Sequence, residues 1–259
     1  MSNLREPVES ILVPGGSIAC MAVAPESESL VLGDDQGSLF TVTAASAAAS
    51  TNKKKGSSSG MRRKQVRKLE AGGSDSNTDE ILSNGHFGMI TSVATRPRIH
   101  TSTGLAKGFC RGSAGLILTT GVDWTTQLWA PAYKDTPLFS WTSHSYDSVS
   151  DVQWNPQNPG IFATASSNGT FGLWNLANSL DESLTDGLPV SMATSAEVEQ
   201  QEGLTKLAWS VPDGRRLAVA GGGGRVHVLT LADEVIRPKG DEDSKILQQL
   251  VARGILNRP

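Results

Sequence analysis

The sequence has little of what builds disulfide scaffolds, zinc sites or membrane spans. Its 259 residues include two cysteines, Cys20 and Cys110, without a Cys-x-x-Cys pair, and its histidines show no metal-ligand spacing. No stretch approaches the roughly 18 to 20 consecutive apolar residues that a membrane span needs, and residues 1–10 lack the apolar centre of a signal peptide. We expect a soluble protein of the cytosol or nucleus, with no metal, no cofactor and no membrane contact.

Basic residues are scarce outside one short segment. Eight of the 23 lysines and arginines lie between Lys53 and Lys68, so the rest of the chain carries 15 basic against 26 acidic residues. An acidic body makes nucleic acid an unexpected partner, because nucleic-acid-binding folds spread basic residues over one face. The basic segment itself is either a nuclear-localisation or polyanion-binding element or a solvated loop.

What the sequence does contain is a repeated unit of strands. Each copy begins with a short segment that alternates apolar and polar residues and is closed by proline, a pattern typical of a strand and its end. The four copies of this segment are Met21–Pro25, Val93–Pro97, Val152–Pro156 and Leu207–Pro212. A second apolar strand follows each copy, and a turn and a third strand come next. These third segments are Asp34–Val42, Val122–Trp129, Asn168–Trp174 and Gly222–Leu229.

The spacing of the copies indicates an all-β propeller. Trp129 and Trp174 end two third strands 45 residues apart, which is the period of a four-stranded propeller blade. The interval from Val42 to Trp129 is longer because residues 44–80 consist of Ala, Ser, Gly, Lys and Asp with almost no β-branched or aromatic residues. We predict that 44–80 is a disordered basic, low-complexity insertion.

About four blades are visible, which predicts a partial ring. We place the first blade at residues 11–43, the second at 81–142, the third at 143–195 and the fourth at 196–236. Residues 241–257 follow with apolar side chains at helical spacing and predict a short C-terminal amphipathic helix that needs a partner surface. Because one blade cannot bury its own faces, Trp154, Trp174 and Trp209 should fill the layers between blades.

The second copy carries the most specific motif, in which Gly85-His86 precedes the first strand and Asp123 lies six residues before Trp129. This combination resembles the WD-repeat signature. The resemblance implies a WD40-type propeller in which His86, Asp123 and Trp129 form a structural hydrogen-bonded network with a Ser or Thr. In the third copy the equivalent residues are His144, Asn168 and Trp174, where Asn replaces the carboxylate. The other two copies are degenerate, with Gln36 and Val42 or Gly223 and Leu229 at the Asp and Trp positions.

The order of motifs from Gly85 onward is similar to that of the C-terminal propeller region of the cytoplasmic dynein intermediate chain. The matching segments are Gly85-His86, Ile90-Thr91, Asp123–Thr125, Leu128-Trp129, Pro137–Ser140, Asp151-Val152, Trp154–Pro156 and Asn175-Leu176. The resemblance implies a non-catalytic scaffold subunit of the dynein motor complex that binds the dynein heavy chain, together with other dynein subunits, and supports microtubule-based transport in the cytoplasm. The light-chain and dynactin sites of that family have no counterpart in this chain. The alternative function is another WD-repeat adaptor, such as a chromatin or ubiquitin-ligase scaffold.

Several features allow two interpretations. His86 and Asp123 could form a catalytic pair, but no nucleophile motif accompanies them and we predict no enzymatic activity. The run Gly221–Gly224 could be a phosphate loop, but it lies between two strands and lacks a following Lys-Ser/Thr, so a hairpin turn is expected. Trp124 and Trp141 are either surface contacts or packing residues.

Overall fold

The computed structural model describes residues 10–24, 29–44, 64–69, 85–97, 115–131, 133–143, 145–185, 188–189, 202–238 and 242–255. These residues form four antiparallel sheets and two helices. No helix among them is long and apolar enough to cross a membrane.

The sheets follow one another along the chain, and each is a meander of sequential strands. The first contains β1 (Ile18–Ala24), β2 (Ser29–Asp34), β3 (Leu39–Ala44) and β4 (Lys64–Leu69). The second contains β5 (Ile90–Thr95), β6 (Ile117–Gly121), β7 (Thr125–Trp129) and β8 (Phe139–Thr142). The third contains β9 (Val149–Trp154), β10 (Ile161–Ser166), β11 (Thr170–Asn175) and β12 (Leu188–Pro189). The fourth contains β13 (Leu204–Trp209), β14 (Arg216–Gly221) and β15 (Val226–Thr230), and is followed by α1 (Asp233–Ile236) and α2 (Glu242–Ala252).

The first strands of successive sheets are neighbours, since β1 contacts β5, β5 contacts β9, and β9 contacts β13. Sheets that pack face to face in chain order, joined along their first strands, are the blades of a propeller. The predicted all-β propeller arc is therefore confirmed.

The prediction that residues 44–80 form a disordered insertion is wrong for Lys64–Leu69. These residues are β4, the outer strand of the first blade, and they pair with β3 from Leu39↔Leu69 to Ala44↔Lys64. A sheet edge tolerates Lys and Arg because its outer side faces solvent, so the basic composition concealed a strand. Residues 45–63 and 70–80 lie outside the described residues.

A repeated hydrogen bond joins each blade to the one before it. The last residue of a blade's first strand donates from its side chain to a backbone carbonyl on the first strand of the preceding blade. The three bonds are Thr95 Oγ1 to Val23 O at 2.7 Å, Trp154 Nε1 to Ala94 O at 3.2 Å, and Trp209 Nε1 to Gln153 O at 3.2 Å. Trp154 and Trp209 therefore combine packing between blades with a bond that fixes the blade register.

Asp151 links three blades at their first strands. Its carboxylate accepts a hydrogen bond from Ser92 Oγ of the second blade at 2.6 Å and from Leu207 N of the fourth at 2.9 Å, and Lys206 Nζ lies 3.4 Å away. Asp151 is almost fully buried. The hydrogen bonds from these donors compensate for the burial of the carboxylate, and removing them would destabilise the fold.

The predicted C-terminal helix is present but shorter than residues 241–257. It ends at Ala252 because Gly254 adopts φ +68° and Ile255 N donates to Leu250 O at 3.0 Å, which is a glycine-dependent helix cap. The surface that its apolar face packs against is supplied by the propeller itself. Ile246 and Leu250 are buried in the core cluster between the second and third blades, together with Trp154 and Trp141.

Candidate interaction face and its supporting network

The second blade contains a continuous hydrogen-bonded network around His86. His86 Nδ1 lies 2.9 Å from Asp123 Oδ1, and His86 Nε2 lies 2.7 Å from Thr119 Oγ1. Trp129 Nε1 donates to the same Thr119 oxygen at 2.8 Å. In the neutral imidazole the bonds run from the Trp129 N–H to Thr119, from the Thr119 hydroxyl to Nε2, and from the Nδ1–H to Asp123. The structure thus brings His86, Asp123 and Trp129 together through Thr119, which the sequence analysis left unspecified.

Asp123 also holds two backbone segments at one end of the blade. Its Oδ2 accepts from Phe87 N at 2.9 Å, and its Oδ1 accepts from Thr125 Oγ1 at 2.9 Å. One carboxylate therefore fixes both the segment before β5 and the turn between β6 and β7.

The pKa of Asp123 is lowered from its usual value. Burial opposes ionisation, but the hydrogen bond and electrostatic attraction of the His86 ring, the Phe87 N–H and the Thr125 hydroxyl together outweigh it. Donors directed at both oxygens favour the ionised carboxylate.

Asp123, His86 and Thr119 are connected in the same order as the residues of a catalytic triad. The hydroxyl group of Thr119, however, is not accessible to a substrate. Thr119 has no exposed surface, and its oxygen already receives the Trp129 N–H. A nucleophile must reach a substrate atom, so the arrangement suits a structural network. Within the described residues no cluster of His, Cys, Asp and Glu could hold a metal ion.

The third blade repeats the turn, and its described residues also repeat the bond between the Trp and Thr positions of the network. Asn168 Oδ1 accepts from Thr170 Oγ1 at 2.7 Å, as Asp123 does from Thr125, while Asn168 Nδ2 donates to Ser145 Oγ at 2.8 Å. Trp174 is half-buried and donates to Thr164 Oγ1 at 3.3 Å. His144, predicted to complete this network, lies outside the described residues.

A cleft of about 690 Å³ lies between the second and third blades beside this partial network. Hydroxyl groups and aromatic rings line it, including Thr164, Trp141, Phe171 and Trp174. Trp141 is itself nearly buried, and its ring centroid lies 5.7 Å from that of Trp174. Of the two alternatives left open for Trp141, the structure shows packing.

The first and fourth blades have other residues at the Trp and Asp positions of the network. Val42 is buried and Leu229 is partly buried where the other blades have Trp. In the first blade the buried carboxylate of Asp34 accepts from Gln36 N at 3.0 Å and Ser38 N at 2.6 Å. The sequence analysis missed this residue, although an Asp that opens a turn two residues before an expected Asp position was a readable signal.

The glycine run at residues 221–224 begins with the last residue of β14 and precedes β15. Gly224 N donates to Gly221 O at 3.2 Å and Gly224 adopts φ +83°. The segment is the hairpin turn that the sequence predicted and not a phosphate loop, which would require a following helix.

Trp124 lies at the exposed end of the second blade, unlike Trp141. Its side chain is among the exposed large hydrophobic groups, and its ring packs edge to face with that of Tyr146 at a centroid separation of 5.6 Å. Phe87, Met89 and Val122 are exposed beside it. We call Phe87, Met89, Val122, Trp124 and Tyr146 the aromatic patch.

Comparison with known proteins agrees with the motif order. Over 174 residues, 67% of this chain, the sequence is 32% identical to the cytoplasmic dynein 1 intermediate chain of Drosophila melanogaster, and the match covers 23% of that protein. A 60-residue match at 34% identity covers 23% of this chain and 9% of dynein axonemal intermediate chain 2 of Mus musculus. The chain thus spans less than a quarter of the length of these relatives. No protein-family model matches it.

Among solved structures, the β-propeller domain of Myceliophteria thermophila Cps50 (Swd1) superposes with a TM-score of 0.54 at 16% identity. The superposition covers 84% of this chain and 53% of that one. At this identity the likeness concerns the fold alone.

Proposed function

We propose that this WD-repeat homologue of the dynein intermediate chains is a non-catalytic scaffold subunit of a cytoplasmic dynein motor complex that binds the dynein heavy chain. The observation that carries the proposal is the 32% identity to the cytoplasmic dynein 1 intermediate chain over 67% of the chain. The proposed location is the cytoplasm, in association with microtubules.

The way the blades are joined supports a scaffold role. Side chains on the first strands bond each blade to the next, and Asp151 bridges three of them. A platform whose backbone is already ordered loses little conformational entropy when a broad interface forms. A non-catalytic role is also supported by the pair of His86 and Asp123, which is engaged in a buried network.

The proposed partners are those that the resemblance assigns to the propeller region of the family. The heavy chain and neighbouring dynein subunits are included, whereas light-chain and dynactin binding are not assigned to this chain. Nucleic acid and membrane are not proposed as partners, because the chain has an acidic body apart from one basic segment.

The test is recovery of partners from cells with the full-length protein that contains this segment, followed by binding of that protein to purified dynein heavy-chain tail. Co-recovery of the heavy chain and direct binding to the tail are expected. Recovery of chromatin or ubiquitin-ligase subunits without heavy chain would instead support the alternative WD-repeat adaptor. The variant Asp151→Ala removes a buried carboxylate that joins three blades, so it should lower the stability of the platform and thereby weaken binding.

A further inference from the structure

The turn between the second and third strands has a left-handed residue at the same position in all four blades. Its third position is left-handed in each case, with φ +89° at Gly37, +86° at Gly169 and +83° at Gly224. In the second blade the same position is Trp124, with φ +68°. Glycine adopts this conformation freely, whereas a residue with a Cβ is disfavoured there. This position therefore favours glycine, but the second blade has a tryptophan there.

Burial in a core does not explain why a tryptophan occupies this position. Its side chain is 44% exposed, and the ring it contacts belongs to Tyr146, which is 67% exposed and itself left-handed at φ +56°. Two aromatic residues in disfavoured backbone conformations thus support each other at the surface rather than a core. Conformations of this kind persist where function needs them.

The patch is held rigidly from beneath. Phe87 N donates to Asp123 of the network, Val122 N donates to Met89 O at 3.1 Å, and Ser143 N donates to Trp124 O at 2.8 Å. The three segments that carry the patch are therefore tied to each other by hydrogen bonds. Rigid, exposed aromatic side chains are typical of the residues that dominate protein–protein binding energy.

Two aspartates lie on segments next to the patch, and one of them, Asp35, also accepts a hydrogen bond from Ser17 N at 3.0 Å. Asp147 follows Tyr146 directly, and Asp35 lies on the turn of the first blade that abuts the segment 86–88, where Gly37 leaves no room for a Cβ beside His86 O. None of the ion pairs between described residues includes Asp35 or Asp147. Negative charge around an apolar centre disfavours nucleic acid and anionic lipid and favours a partner with basic residues.

We infer that the aromatic patch is the docking site for a protein segment that presents apolar side chains flanked by Lys or Arg. The inference rests on the proposed function, within which this segment belongs to the dynein heavy-chain tail. Trp124 and Tyr146 supply the buried centre of the interface, and the carboxylates of Asp35 and Asp147 orient the basic flanks.

The test uses the full-length protein containing this segment and purified heavy-chain tail. Trp124→Gly restores the residue that the other three blades have, so the melting temperature should stay the same or rise. Affinity for the tail should nevertheless fall by about 30-fold or more, the effect expected of a binding hot spot. The control is Tyr133→Ala, which removes an exposed aromatic from the turn after β7, at the opposite end of that strand. It should leave affinity within about twofold.

The outcomes separate the two proposals. Failure of the wild type to bind the tail would overturn the proposed function and, with it, this assignment of the occupant. Wild-type binding that Trp124→Gly leaves unchanged would overturn the docking site alone. A lower melting temperature for Trp124→Gly would direct the test to Tyr146→Ala, which must then reduce affinity at least tenfold for the site to stand. Asp147→Asn should weaken binding several-fold at low salt and less at high salt, because charge at an interface rim is screened.

Discussion

The second and third blades share one strand arrangement but support it differently. In the second, Trp129 is almost fully buried and closes a network through Thr119 to His86. In the third, Trp174 is half-buried, its bond to Thr164 is longer, at 3.3 Å, and its ring stacks on Phe162 at 5.8 Å. One tryptophan position is thus satisfied by hydrogen bonds in one blade and chiefly by aromatic packing in the other.

Both blades also have a source of stability that does not depend on the network. Each of them lies between two neighbouring blades, and α2 covers the core that the two share, so burial between blades stabilises both from two sides. In the second blade the network additionally fixes the loops that carry the aromatic patch. We therefore expect the network to affect the exposed face of the blade more than the existence of its strands.

The largest contrast is expected for the two tryptophans. Trp129→Ala should lower the free energy of unfolding by about 3–5 kcal/mol, because it removes a buried ring and leaves the Thr119 oxygen without the hydrogen bond that Trp129 donates. Trp174→Ala should cost clearly less. Chemical denaturation of both variants measures the difference, and equal losses would mean that the network adds nothing to burial.

A smaller contrast is expected at the turn positions. Asp123→Ala should cost about 1–3 kcal/mol, since it leaves the Phe87 N–H without its acceptor and His86 Nδ1 with Thr125 Oγ1 as its remaining partner. Asn168→Ala should cost less than about 1 kcal/mol because its partners Thr170 and Ser145 are half-buried or exposed and can bind water. Thermal unfolding at pH 7 distinguishes the two, and a larger loss for Asn168→Ala would reverse the comparison.

Acid should affect the second blade through Asp123. Its pKa is lowered in the folded state, so the unfolded chain binds more protons below the ordinary carboxyl pKa of about 3.9. The stability it contributes is therefore present above about pH 4 and is lost as the pH falls through the lower folded-state pKa. Comparing the melting temperatures of the wild type and Asp123→Asn from pH 6 to pH 3 checks this. The gap between them should narrow towards acid, and a constant gap would contradict the prediction.

The smallest effect is expected from giving the third blade a carboxylate. Asn168→Asp keeps the acceptor for Thr170 but loses the bond donated to Ser145 Oγ at 2.8 Å. The free energy of unfolding should change by less than about 1 kcal/mol in either direction. A gain of several kcal/mol, measured by denaturation beside Asn168→Ala, would show that the carboxylate alone establishes the network.

Errors in the sequence interpretation fall where burial could not be read from residue type. The outer strand Lys64–Leu69 was taken as part of an insertion, because only Val66 and Leu69 in it are apolar and a blade's edge strand needs few apolar residues. Trp124 and Trp141 are the same residue type in neighbouring segments, yet one is exposed and the other is nearly buried. Composition carries no information on which neighbour will cover a ring.

The sequence by itself determined the repeat, the inner three strands of each blade, the turn between the second and third strands, and the relationship to dynein intermediate chains. These features are local or periodic, so alternation, turn chemistry and spacing were enough to read them. Only the tertiary structure decided that Asp151 bridges three blades, that α2 covers the seam between the second and third, and that Trp124 faces solvent. Each of these depends on contacts between residues far apart in the chain. Such contacts exist only once the blades have packed against one another.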